Sequence, residues 1–161
     1  AGASVQVLGV YEPSLTDKMA HVLKRLGTKE AFVVCGEGTF DEISICGPTR
    51  VSRLKDDSIH TFQMTPEVYG FKRAALEEIV GGDAKENARI IRNILDGEKG
   101  PKREMVLLNA SAAFMTTGLC DNFRDGIEIA MDSIDSGKAC KKLDKMIEFT
   151  RQCKPFIRNE L

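Results

Sequence analysis

Residues 5–35 read VQVLGVYEPSLTDKMAHVLKRLGTKEAFVVC, and this stretch decides the fold. Val5 to Val10 is a short apolar run with the character of a buried strand. Glu12-Pro13-Ser14 opens a helix in which Leu15, Met19, Val22, Leu23 and Leu26 recur at i, i+4, i+7, i+8 and i+11, forming one apolar face. Gly27 follows as a left-handed terminator, and Ala31 to Cys35 is a second buried strand. Strand, helix, strand predicts two parallel strands joined by a right-handed crossover. Ligands of such sheets bind beyond the carboxyl ends of the strands, which places Gly36 to Glu42 at a site.

That segment is glycine-rich and acidic. Residues 33–44 read VVCGEGTFDEIS and close on Gly47-Pro48-Thr49-Arg50. The strand runs into a loop that ends in two adjacent carboxylates, Asp41 and Glu42, before a short strand candidate, Ser44-Ile45-Cys46. Mg²⁺ suits such a pair, because it takes one or two protein carboxylates and keeps water and substrate phosphate oxygens in its other positions. Adjacent acidic residues are also common as solvated surface charge, and spacing alone leaves both readings open. No residue is assigned a catalytic role or a role in binding an organic cofactor.

Further along, Val51 to Leu54 and Ile59 to Met64 are strand candidates separated by a turn at Asp56-Asp57, which predicts an antiparallel extension of the sheet. Thr65-Pro66-Glu67 is a helix start, with Thr65 as cap and Pro66 at the first helical position. The remainder is helical. Asp83 caps a helix carrying Ala84, Ala88, Ile91, Ile94 and Leu95, and Pro101 opens one whose Met105 to Met115 stretch is apolar nearly all round. Asp121 or Asn122 caps a third helix, with Ile127, Ala130, Met131 and Ile134 on its apolar face. Ser136 precedes the last, which carries Ala139, Leu143, Met146, Ile147 and Phe149. The fold class is α/β: part of a parallel sheet flanked by helices, with a small antiparallel extension.

With 161 residues, one domain is expected, large enough to bury a substantial core. A net charge of −1 leaves no electrostatic footprint for nucleic acid or an anionic membrane. The five cysteines, Cys35, Cys46, Cys120, Cys140 and Cys153, are odd in number and widely spaced, which fits reduced thiols in a cytoplasmic protein better than a disulfide framework or a zinc site.

Several residues carry a functional and a plainer reading side by side. Gly81-Gly82-Asp83 resembles a phosphate loop, but Asp83 at the capping position would repel phosphate, so a turn with an N-cap is preferred. Arg50 and Lys55 are cations expected near the acidic loop, where Arg50 would steady a phosphate or the carboxylates; an ordinary surface cation is the plainer reading. His21 and His60 have no partner at metal-ligand spacing. Cys35 has no histidine in a nucleophilic arrangement and reads as a small buried residue. Asn109 and Ser111 interrupt an apolar helix and are expected to bond to backbone or to neighbouring helices.

The run Phe40-Asp41-Glu42-Ile43-Ser44-Ile45-Cys46-Gly47-Pro48-Thr49 resembles the (L/F)DE(I)S-x-x-GPT segment of the anthranilate phosphoribosyltransferase family. Residues 8–13, 71–74, 81–88, 97–103, 106–110 and the helical end from Ala130 through Ala139 match further segments in the same order, so the resemblance covers most of the chain. It implies the nucleoside-phosphorylase-like phosphoribosyltransferase fold. Residues 1–161 would form a single domain, the C-terminal part of that family's α/β domain. The N-terminal half, with its helical domain, its diphosphate loop and the residues that contact anthranilate, would be missing; the opening Ala1-Gly2-Ala3-Ser4 without Met reads like a domain cut. The implied reaction of the parent enzyme, a homodimer, is transfer of phosphoribose from phosphoribosyl diphosphate to anthranilate in tryptophan biosynthesis. Asp41 and Glu42 would hold Mg²⁺, and this chain alone would be inactive. The alternatives are a pyrimidine nucleoside phosphorylase relative, against which the Asp-Glu-Ile-Ser and Gly-Pro-Thr run argues, and a non-catalytic nucleic-acid-binding paralogue, expected to be basic.

Overall fold

The computed structural model describes residues 2–38 and 40–153; Ala1 and Thr39, the latter inside the acidic loop, lie outside them. Strand β1 (Val5–Gly9), helix α1 (Leu15–Arg25) and strand β2 (Glu30–Gly36) come first, then β3 (Thr49–Lys55) and β4 (Ser58–Met64). The four strands form one sheet in the order β1-β2-β3-β4. β1 and β2 are parallel, with Val7 opposite Phe32. β2–β3 and β3–β4 are antiparallel, with Val34 opposite Val51 and Val51 opposite Phe62. The sheet is therefore mixed, with one parallel pair and the expected antiparallel extension.

A 3₁₀ turn, Pro66–Tyr69, is followed by a short α2 (Leu76–Ile79), α3 (Ala84–Leu95), α4 (Pro101–Thr116), α5 (Phe123–Asp135) and α6 (Lys138–Gln152). Pro66 holds the first position of the 3₁₀ turn as expected, but the Thr65 side chain makes no capping bond. Asp83 caps α3 by accepting the Glu86 N–H at 2.8 Å, and Asn122, not Asp121, caps α5 by accepting the Asp125 N–H at 3.0 Å. Among the described residues, no helix is long and apolar enough to cross a membrane.

Strand alternation divides the core across the sheet. Phe32, Val34 and Val51 face α4 and α5, where Leu107, Leu108, Ala112 and Ile127 are buried. Ala31, Val33, Cys35 and Leu54 face α1, whose buried positions are Thr16, Ala20 and Leu23. The buried stripe of α1 is thus rotated from the expected one, and Val22 and Leu26 are exposed. On α6, Ala139, Leu143 and Ile147 follow an i, i+4, i+8 stripe that is partly buried, which turns Met146 and Phe149 out to solvent.

One strand expectation fails. Ser44-Ile45-Cys46 is not a strand, although Ser44 and Ile45 are buried. Side chains satisfy the backbone there instead: the Ser44 N–H donates to Thr49 Oγ1 at 2.9 Å and the Cys46 N–H to Ser44 Oγ at 3.0 Å.

Candidate functional site

The segment between β2 and β3 folds back over the sheet's carboxyl edge. The Gly36 N–H donates to the Phe40 carbonyl, and the Glu37 N–H to the Pro48 carbonyl, each at 2.8 Å. Two glycines make room for it. A Cβ at Gly36 would lie 2.7 Å from Ser44 Cβ and 2.9 Å from the Glu42 carbonyl oxygen, and one at Gly9 would overlap the Asp41 carbonyl. The loop therefore rests against the ends of both parallel strands, as the topology predicts. Asp41 and Glu42 are both exposed.

They border an open cleft of about 640 Å³ between the end of β1 and helices α3 and α4. Its walls are largely apolar, including Val7, Ile90, Ile94, Met105 and Val106, with Asn87, Lys102 and Asn109 as polar members. Lys102, the second residue of α4, is the cation of this cleft among the described residues, and its Nζ donates to the Glu78 carbonyl at 2.7 Å. It sits at a helix N-terminus, where backbone N–H groups favour anions.

Among the described residues there is no group of three or more His, Cys, Asp or Glu that could hold a metal. The donor set here is two carboxylates on an open cleft. That suits a hard cation which keeps most of its positions for water and phosphate oxygens, and does not suit a closed zinc site.

The other candidates part company with the site. Arg50 turns towards α1, where its Nε donates to Thr16 Oγ1 at 3.2 Å, and Ser52 Oγ donates to the same hydroxyl at 3.0 Å. Lys55 is not near the acidic loop: it pairs with Glu30 at the opposite end of the β2–β3 ladder from Gly36 and Thr49. Six residues of strand put it about 20 Å away. His21 is exposed beside Asp17 on α1, and His60 is exposed on β4. Cys35 is buried; burial, and then the Glu12 charge, push its thiol above the ordinary range, so it is no ready nucleophile. Gly81 and Gly82 form the turn before α3: the Gly82 N–H donates to Asn87 Oδ1 and Asn87 Nδ2 donates to the Gly82 carbonyl, both at 2.9 Å. Ser111 Oγ donates to the Leu108 carbonyl at 2.7 Å.

A family model described as "Glycosyl transferase family, a/b domain" matches residues 1–140. The chain belongs to this family. Among members of the glycosyl transferase family, it is 45% identical over 152 residues to the anthranilate phosphoribosyltransferase of Desulfatibacillum aliphaticivorans, covering 94% of this chain and 45% of that one. It is 48% identical, with the same coverages, to that of Symbiobacterium thermophilum. The chain thus spans about half the length of the curated relatives it matches. The crystal structure of the Thermus thermophilus enzyme superposes with a TM-score of 0.81 at 37% identity, over 89% of this chain and 42% of that one. The Saccharomyces cerevisiae enzyme in complex with PRPP and Mg superposes at 0.80 and 30% identity, with the same coverages. A further structure of the yeast enzyme is a complex with 4-fluoroanthranilate. The fold of this glycosyl transferase domain is that of the solved anthranilate phosphoribosyltransferases.

Lys102 is the site residue that sequence reasoning passed over. Its signals in the sequence are its place beside Pro101 at a helix start and in the matched segment 97–103, neither of which marks it as a site residue.

Proposed function

We propose that this chain is the C-terminal α/β portion of an anthranilate phosphoribosyltransferase. The complete protein would transfer phosphoribose from phosphoribosyl diphosphate to the amine of anthranilate, releasing diphosphate, as a step of tryptophan biosynthesis. The observation that carries the reading is the exposed pair Asp41 and Glu42 on the rim of a cleft that also holds Lys102. The yeast relative solved with PRPP and Mg supports the same substrate and metal.

Breaking the bond at the anomeric carbon builds positive charge on the sugar and negative charge on the leaving diphosphate. Asp41 and Glu42 hold Mg²⁺, which when bound neutralises and orients that diphosphate. Lys102, at the positive end of α4, takes a phosphate oxygen. The amine has its lone pair available, so no general base is required. Rate enhancement then comes from positioning and electrostatic stabilisation.

The test is a Mg²⁺ titration of kcat/KM in the complete protein, wild type against Asp41→Asn/Glu42→Gln. The double variant should need far more Mg²⁺ and lose on the order of 10²-fold or more in kcat/KM. Superimposable titrations would remove the metal role. Turnover of a pyrimidine nucleoside with phosphate, and none with anthranilate, would replace the reaction.

A further inference from the structure

Asp41 and Glu42 lie on backbone with no helix or ladder to hold it, yet it is held from two sides. Asn109 lies in the middle of α4 and lines the cleft. Its Oδ1 accepts the Ile43 N–H and its Nδ2 donates to the Ile43 carbonyl, both at 2.9 Å. One primary amide thus engages both polar groups of a single residue, as a neighbouring strand would. The same Nδ2 donates to the Met105 carbonyl one turn back at 2.9 Å, which locks the side chain in place. The Ile43 N–H belongs to the peptide plane that begins at Glu42, so fixing it fixes the direction in which Glu42 leaves the core. Ile43 is fully buried. On the other side, Gly9 lets the Asp41 carbonyl lie directly against the end of β1.

An asparagine inside a helix is intrinsically less favourable than leucine or alanine. A purely apolar contact at 109 would still pack against Ile43 but would leave the buried peptide groups without partners. A metal-binding pair also needs its side chains held to within about half an ångström by the surrounding shell.

We propose that Asn109 and Gly9 are positioning residues: they clamp the backbone on either side of Glu42, so that Asp41 and Glu42 act as one divalent-cation site. This rests on the reading of the acidic pair as a cation site. The clamp makes no contact with substrate and acts through the two carboxylates.

The experiment is a Mn²⁺ titration of the isotopically labelled chain, read as paramagnetic broadening of the Asp41, Glu42 and Ile43 amide resonances. Wild type, Asn109→Ala, Gly9→Ala and Asp41→Asn/Glu42→Gln are compared, and amide shifts in β2 and β3 report the fold. Wild type should broaden locally at low Mn²⁺, and the double variant should not. Asn109→Ala and Gly9→Ala should each need about tenfold more Mn²⁺ for half-broadening, the low end of the cost of losing a supporting partner of a metal ligand. A structural role alone would lower the melting temperature without moving that midpoint. An unchanged midpoint in either folded variant overturns the proposal while leaving the acidic pair as a site. Should Asn109→Ala fail to fold, Gly9→Ala decides, since it keeps the amide and crowds Asp41 instead. Absence of broadening at Asp41 and Glu42 in the wild type overturns both readings.

Discussion

Arg103 in the first turn of α4 and Asp135 at the last residue of α5 are joined by a hydrogen-bonded ion pair, Nη1 to Oδ1 at 2.8 Å. The two ends of the pair differ. The Arg103 side chain is 3% exposed and Asp135 is 43% exposed. Nη1 also donates to the Gly97 carbonyl at 3.4 Å, while Nη2 is buried without a protein partner. Removing Asp135 strands a buried guanidinium. Removing Arg103 leaves a carboxylate that water and Lys99 still serve. Asp135→Ala should therefore destabilise more than Arg103→Met, which fills a similar volume with apolar atoms. A loss of about 5 °C in melting temperature is expected for Asp135→Ala, the scale of one charge-assisted hydrogen bond in a domain of this size. Thermal melts of both variants check the order, and the reverse order would show that the pair is strongly favourable in its own right.

The same pair sets a pH dependence. The Arg103 hydrogen bond first, then the Arg103 and Lys99 charges, hold the Asp135 carboxyl below its ordinary range. A carboxyl with a depressed folded value binds fewer protons in the native state than in the unfolded one. Its contribution is complete above the ordinary carboxylate pKa of about 4 and is lost as pH falls through the lower folded value. The difference in melting temperature between wild type and Asp135→Asn should stay constant from neutral pH down to about 5 and shrink below about 4. A difference that grows on acidification would contradict this assignment.

The βαβ core and the place of the acidic loop were legible in sequence because both rest on local signals: two apolar runs, one amphipathic helix, and glycines at the turn. What sequence could not show is tertiary. Lys102 shares a cleft with Asp41 only because α4 packs across the sheet. Lys55 looked close to the loop in sequence, but the antiparallel ladder carries it to the far end. Ser44 to Cys46 has strand composition, yet Thr49 Oγ1 and Ser44 Oγ supply the bonds that a ladder would have made. Sequence leaves Asn109 to bond either to backbone or to a neighbouring helix; that its partner is the backbone of Ile43, the residue after Glu42, depends on the fold.

The hairpin between β3 and β4 offers a stabilising substitution. Asp56 and Asp57 both have positive φ, 49° and 61°. That is the left-handed region, which a two-residue primed turn demands and which glycine enters without a Cβ penalty. Asp57→Gly should relieve about 1 kcal/mol of backbone cost. It also removes an ion pair with Lys24 at 3.1 Å. That pair is exposed, with Asp57 at 83%, and contributes a few tenths of a kcal/mol. The backbone gain should win, and chemical denaturation should show a higher midpoint with an unchanged slope. A lower midpoint would mean that Lys24 anchors the hairpin more strongly than surface pairs usually do.

The chain assayed by itself should not transfer phosphoribose. The cleft beside Asp41 and Glu42 is open, and Val7, Ile91 and Val106 on its walls are 36%, 50% and 42% exposed. β1 has one strand neighbour among the described residues, so its other side is a free sheet edge. Within the described residues the cleft offers one cation, Lys102, to the proposed substrate, phosphoribosyl diphosphate, which carries both a 5′-phosphate and a diphosphate. A single lysine cannot fix both ends of that molecule or hold the amine in line with the anomeric carbon. Loss of such positioning costs on the order of 10³-fold or more in rate. The assay supplies phosphoribosyl diphosphate, anthranilate and saturating Mg²⁺ to the 161-residue chain and to a full-length homologous protein at equal concentration. Product should be undetectable with the chain and readily measured with the full-length protein. Comparable turnover would show that residues 1–161 already carry a complete substrate site, against the expectation that the chain alone is inactive.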